Sequence, residues 1–201
     1  MESIVASLLK EYDPETLILY GSYADGSYNA GSDFDAMLLC DCAEPKHDVR
    51  VLNGIQLDVF VYPADTEKDP SELLQLYHGR LLLDRNGKGA RWIDQVKDYV
   101  DSYPQKSADA VRADISWCEK MLTRTDRRDA EGYYRWHWVL CDSLEFYCNI
   151  RGNFYFGPKK TLLWMRREDP EAFSIYQEAL SCMDRNKLEK WVNYLKNQME
   201  G

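Results

Sequence analysis

Asp33 and Asp35 stand two apart in Ser32-Asp33-Phe34-Asp35, at the head of the apolar run Ala36-Met37-Leu38-Leu39. Residues two apart on a strand project to one face, so the two carboxylates are expected to point the same way. Like charges held that close repel unless a cation lies between them. Mg²⁺ suits the pair, because it takes hard oxygen ligands and shares them between carboxylates and substrate phosphates. Upstream, Leu17-Ile18-Leu19-Tyr20 runs into Gly21-Ser22. Gly21 permits unusual dihedrals and a close backbone approach to a ligand, and Ser22 offers a hydroxyl and an N–H. A helix beginning near Tyr23 would add free N–H groups as an anion site. A phosphate cradle beside a metal-binding pair is the machinery of phosphoryl or nucleotidyl transfer.

A third acid lies in the next β-rich stretch. Val49 to Leu52, Asn53-Gly54 and Ile55 to Tyr62 read as a hairpin, since Asn-Gly between two such runs is the strongest short hairpin signal. Asp58 sits inside the otherwise apolar second arm. A carboxylate there is costly unless paired or metal-bound. It is either an edge-strand acid in water or a third site acid.

Taken together, Gly21-Ser22, Gly26 and Ser32-Asp33-Phe34-Asp35 resemble the signature of the polymerase-β-type nucleotidyltransferase superfamily over about the first third of the chain. The resemblance implies that Asp33, Asp35 and Asp58 are the catalytic and metal-binding acids, Asp58 matching the family's third carboxylate. It implies that Gly21 and Ser22 hold the triphosphate of ATP or another NTP. It also implies two Mg²⁺ ions, roughly 3.5–4 Å apart by two-metal logic. One would activate the attacking hydroxyl and the other steady the leaving pyrophosphate.

The elements that must position these residues follow from periodicity. Ile4, Val5, Leu8 and Leu9 mark a helix over 2–11, ended by Asp13-Pro14. Strands are expected over 16–21 and 34–40, with a polar loop over 41–47. Residues 71–78 read as helical, 79–83 as a short strand, Asn86-Gly87 as a turn and 89–101 as a helix. The polar Asp101-Ser102-Tyr103-Pro104 is the boundary, after which strand signals cease. Val111, Ile115, Cys118 and Leu122 form one helical stripe. Tyr133, Trp136, His137, Leu140, Leu144 and Tyr147 form another. Gly157-Pro158 and Asp169-Pro170 start further helices, and Asp184 caps the last. The fold class is therefore α+β: a small mixed-sheet nucleotidyltransferase domain over 1–103, then an all-α bundle over 104–201.

By analogy with antibiotic nucleotidyltransferases, the helical part binds the acceptor. The segment Glu145 to Trp164, with Arg151-Gly152 and Gly157-Pro158-Lys159, resembles the streptomycin/spectinomycin type. Glu145 is a candidate general base, with pairing to a neighbouring arginine as the favoured alternative. Lys159, in a first helical turn where a cation opposes the dipole, is a candidate phosphate ligand. His137 reads as a core histidine, and Tyr133, Tyr134, Trp136 and Trp138 as mostly core. Arg124, Arg127 and Arg128 read as a solvated helix end.

Composition narrows the partners. The net charge is −9, of which residues 1–70 carry −10 and residues 71–201 carry +1. An acidic N-terminal part suits metal ions or a cationic acceptor and argues against nucleic acid. There is no apolar run long enough for a transmembrane helix and no secretory leader, so a cytoplasmic location is expected. The six cysteines form no C-x-x-C pair and read as reduced thiols, mostly buried. The expected activity is transfer of a nucleoside monophosphate, AMP from ATP, to a hydroxyl of a small aminoglycoside-like acceptor. Two alternatives stand beside it: an antitoxin-like or protein-modifying nucleotidyltransferase, and a catalytically inactive nucleotide-binding relative.

Overall fold

A computed structural model describes residues 1–200. The chain divides into two compact units, Met1–Ser102 and Tyr103–Gly201. The architecture is α+β: a mixed sheet in the first unit and helices in the second.

The first unit opens with α1 (Glu2–Tyr12), ended by Asp13 in the left-handed region and by Pro14. Strand β1 (Thr16–Leu19) leads into a five-residue helix α2 (Gly21–Asp25). Strand β2 (Phe34–Cys40) is followed by β3 (Lys46–Asp48), β4 (Val51–Leu52) and β5 (Ile55–Pro63). A 3₁₀ segment (Pro70–Leu76), β6 (Arg80–Asp84) and α3 (Lys88–Asp101) complete the unit. The sheet order is β3-β5-β2-β1-β6, with β4 paired to β5 off this path. Only β2 and β5 run parallel among the described residues.

Side-chain alternation gives the sheet two cores. Ile4 and Leu8 of α1 and Tyr23 of α2 pack on Leu17, Leu19, Phe34, Ala36, Leu38, Leu57 and Val59. On the other face Leu73, Leu76, Trp92, Ile93 and Val96 cover Ile18, Tyr20, Met37 and Leu39. Asp84 fixes the start of α3: its carboxylate accepts from the Gly89 and Ala90 N–H groups at 3.1 and 2.9 Å and from the Thr16 hydroxyl at 3.0 Å. The Asn53-Gly54 turn has φ of 54° and 79°, the pair of positive values that a tight hairpin turn demands.

The second unit comprises α4 (Ala108–Arg124), α5 (Ala130–Ile150), α6 (Pro158–Glu168), α7 (Pro170–Ser181) and α8 (Arg185–Glu200). Ser107, Asp129 and Asp169 cap α4, α5 and α7 through their side chains. The core gathers Ile115, Leu122, Trp136, Leu140, Leu144, Met165, Tyr176 and Trp191. Two buried polar groups find partners within it. The Trp191 indole donates to Ser143 Oγ at 2.8 Å, and the Tyr176 hydroxyl to the Leu140 carbonyl at 2.7 Å.

Several local expectations are corrected. Residues 41–47 are not all loop, because Lys46–Asp48 pairs antiparallel with Val61, Phe60 and Val59. His137, Tyr133 and Tyr134 are exposed, not core. The buried stripe of α5 is Trp136, Leu140, Ser143, Leu144 and Tyr147, and these residues fall one position or more to its side. Trp138 is half-buried, and Trp136 is buried as expected. All six cysteines are free, and Cys141 and Cys182 are exposed.

Candidate active site

Asp35 and Asp58 are register partners in the parallel ladder between β2 and β5. Pleats of adjacent strands run in phase, about 4.8 Å apart, so paired residues share a face. Phe34, Ala36, Leu57 and Val59 point to the α1 side, which leaves Asp35 and Asp58 on the other. Asp35 is the one residue of β2 that is not buried. Both acids sit near the start of their strands, where the sheet face is not yet covered by the core of Met37, Leu39 and Tyr62. The alternation expected to align Asp33 with Asp35 does not reach Asp33, which precedes the strand; the register partner of Asp35 is Asp58, which lies on an inner strand, not an edge strand.

Tyr20 completes this corner. Its N–H donates to the Asp35 carbonyl at 3.0 Å, joining the end of β1 to the start of β2. Burial pushes its phenol far above the usual range, and the charges of Asp58 and Asp35 push it further. Tyr20 therefore keeps its proton as a hydroxyl in the field of both carboxylates.

Gly21 has φ of +65° and a Cβ added there would lie 2.2 Å from Asp35 Oδ2. The space that a side chain would fill is taken by the Asp35 carboxylate. The glycine thus seats an acid; the Gly-Ser turn as read from sequence did not anticipate this contact. The helix after it begins at Gly21 itself and not near Tyr23. Ser22 is 3% exposed, so little of its hydroxyl is presented to a ligand. Asp33 lies one residue before β2, is exposed, and follows the turn at Ser32.

The closed three-carboxylate grip expected from sequence is not formed. Among the described residues no group of three or more His, Cys, Asp or Glu side chains is gathered closely enough to hold a metal ion. Asp33 stands outside the ladder that fixes the other two. One oxygen of Asp58 is engaged by His47, whose Nε2 lies 2.5 Å from Oδ1. Asp35 and Asp58 nonetheless fit a Mg²⁺ ion as a donor set, because Mg²⁺ is commonly held by one or two carboxylates with waters and substrate phosphates completing its shell. Sequence reading missed His47, since a three-residue polar strand carries no periodicity and its contact with Asp58, eleven residues on, is not local in sequence.

Two candidates belong to the second unit. Glu145 is exposed on α5 and has no arginine partner among the described residues, so the favoured pairing is not realised. Its charge acts on neighbours: burial, the Cys148 thiol and then Glu145 raise the Tyr155 phenol. Lys159 is exposed in the first turn of α6, after Pro158. Arg127 pairs with Asp129 at 2.9 Å and Glu131 at 2.6 Å at a solvated helix end, as read.

The sequence pattern of the nucleotidyltransferase domain matches residues 1–137. The chain belongs to that family, whose chemistry is the transfer of nucleotidyl groups. A solved structure of a nucleotidyltransferase-like protein from Exiguobacterium sibiricum is similar at 13% identity, over 99% of this chain and 73% of that one, with a TM-score of 0.40. No curated protein matches the sequence. No helix among the described residues is long and apolar enough to cross a membrane.

Proposed function

We propose that this protein transfers AMP from ATP to a hydroxyl of a small cationic acceptor of the aminoglycoside kind. The observation that carries the reading is the register pairing of Asp35 with Asp58 on one open sheet face, with Gly21 leaving room for the first of them. Asp35 and Asp58 would hold Mg²⁺, with Asp33, at the turn before β2, as a further candidate ligand. When bound, the metal neutralises triphosphate charge and lowers the barrier to forming the attacking alkoxide. The turn at Gly21-Ser22 binds the triphosphate through its backbone. The acceptor oxygen bonds to the α-phosphorus, the bond to the bridging oxygen breaks, and pyrophosphate leaves. Asp58 takes the hydroxyl proton. The charge of −10 over residues 1–70 draws a polycation toward this part of the chain. The protein is expected to work in the cytoplasm, without nucleic acid or membrane.

The test is incubation with α-³²P-labelled ATP, Mg²⁺ and a panel of aminoglycosides. The expected result is label transferred to one class of acceptor and lost in Asp35→Asn. No transfer to any acceptor, together with no nucleotide binding by calorimetry, overturns the reading.

A further inference from the structure

The β3 strand is a poor structural investment. It has three residues, two of them exposed, and a strand that short at a sheet edge buries little. Asp48 ties it to α1 by accepting from the Tyr12 hydroxyl at 3.0 Å, and the same strand delivers His47. The ladder sets His47 opposite Phe60, two residues beyond Asp58 on the same face. The imidazole stacks on the Phe60 ring at 4.2 Å and 7°, and Phe60 in turn stacks on Tyr62 at 6.3 Å and 10°. A diagonal cross-strand neighbour is within reach of an aromatic or long side chain, and here the reach ends with Nε2 at 2.5 Å from Asp58 Oδ1.

An ionised carboxylate only accepts, so the proton of this bond sits on Nε2. The side chains of His47 and Asp58 are 46% and 39% exposed. At such exposure a pair adds little to stability, too little to account for an imidazole fixed from two sides. We infer that His47 is a positioning residue of the proposed site. It is locked by its stack on Phe60 and holds Oδ1 of Asp58, so that the carboxylate stays on the face shared with Asp35 and Oδ2 remains for a cation. Partners of this kind orient metal-binding carboxylates, and losing one typically costs about 10–100-fold in metal affinity. The inference rests on the nucleotidyl-transfer reading.

The experiment is Mn²⁺ binding, followed by electron paramagnetic resonance with α,β-methylene-ATP present, in the wild type, His47→Ala and His47→Gln. The alanine variant is expected to bind Mn²⁺ about 10–100-fold more weakly with its melting temperature within about 4 °C of wild type. Glutamine, which restores an N–H donor, is expected to recover most of the affinity. Unchanged binding in His47→Ala overturns the inference alone. So does tighter binding, which would make the imidazole a competitor for Asp58, and so does a glutamine variant as weak as the alanine one. Absence of Mn²⁺ and nucleotide binding in the wild type overturns both the inference and the reading beneath it.

Discussion

A methyl group at position 21 would lie 2.2 Å from an oxygen of Asp35, on a backbone already at φ +65°. Either fact alone disfavours alanine; together they require the carboxylate or the turn to move. Gly21→Ala is expected to cost about 1–3 kcal/mol and to abolish the rise in melting temperature produced by Mg²⁺ and ATP, both read by calorimetry. Asp35→Asn separates charge from shape. It keeps the fit against Gly21 and removes one of two like charges that share a ladder position. Its melting temperature is expected to equal or exceed that of wild type while Mg²⁺-ATP stabilisation disappears. At this scale strand alternation, read for Asp33 and Asp35, held for Asp35 alone, because the strand begins after Asp33; Asp58 was singled out as an acid in an apolar run. The sequence was silent on what lies beside them. Neither the contact between Gly21 and Asp35 nor that between His47 and Asp58 is local in sequence, and no spacing rule reports on either.

Among the elements, α3 depends most visibly on one side chain. Asp84 ends β6, accepts two N–H groups from the first turn of α3, and takes the Thr16 hydroxyl of β1. Asp84→Ala leaves those donors without a partner and is expected to lower stability by about 1–3 kcal/mol, measured by urea unfolding with an unchanged slope. The hairpin at Asn53-Gly54 was readable because both residues tolerate positive φ and little else does. Strand β3 was not, since three polar residues at an edge have no apolar face to announce them. Helix α5 shows a third case. Its aromatic residues occupy more of its circumference than the core covers, so hydrophobicity marked a wider stripe than packing uses. Tyr133 and His137, one turn apart, fell outside it.

Over the whole molecule, each unit carries its own core, and the second is tied by a polar knot around Asp169. Its carboxylate accepts from the Tyr147 hydroxyl at 2.7 Å, the Tyr194 hydroxyl at 2.9 Å, the Ala172 N–H at 3.1 Å and the Arg151 guanidinium. Burial works to raise its pKa, but these donors outweigh it and hold the carboxyl below its ordinary value. A depressed folded-state pKa means that the unfolded chain takes up the proton first as the solution is acidified. The stabilisation is full above about pH 4 and is lost as pH falls through the folded value. Asp169→Asn is expected to destabilise the helical unit by about 2 kcal/mol at neutral pH, with the two proteins converging below about pH 4 in thermal melts. The boundary between the units was legible in Asp101-Ser102-Tyr103-Pro104, where strand-type sequence gives way to helical periodicity. The knot was not, because its members are scattered over three helices.

The acids that face one another across β2 and β5 are joined by the only parallel pairing among the described residues. Two strands running the same way cannot be zipped from a tight turn between them; the chain must first travel back along the sheet. Here that return is made by β3 and the β4–β5 hairpin, which also bring His47 to Asp58. A nascent chain that has emerged only as far as β2 therefore carries Asp35 without the strand that sets Asp58 beside it. The two acids come into register in one step, when β5 docks.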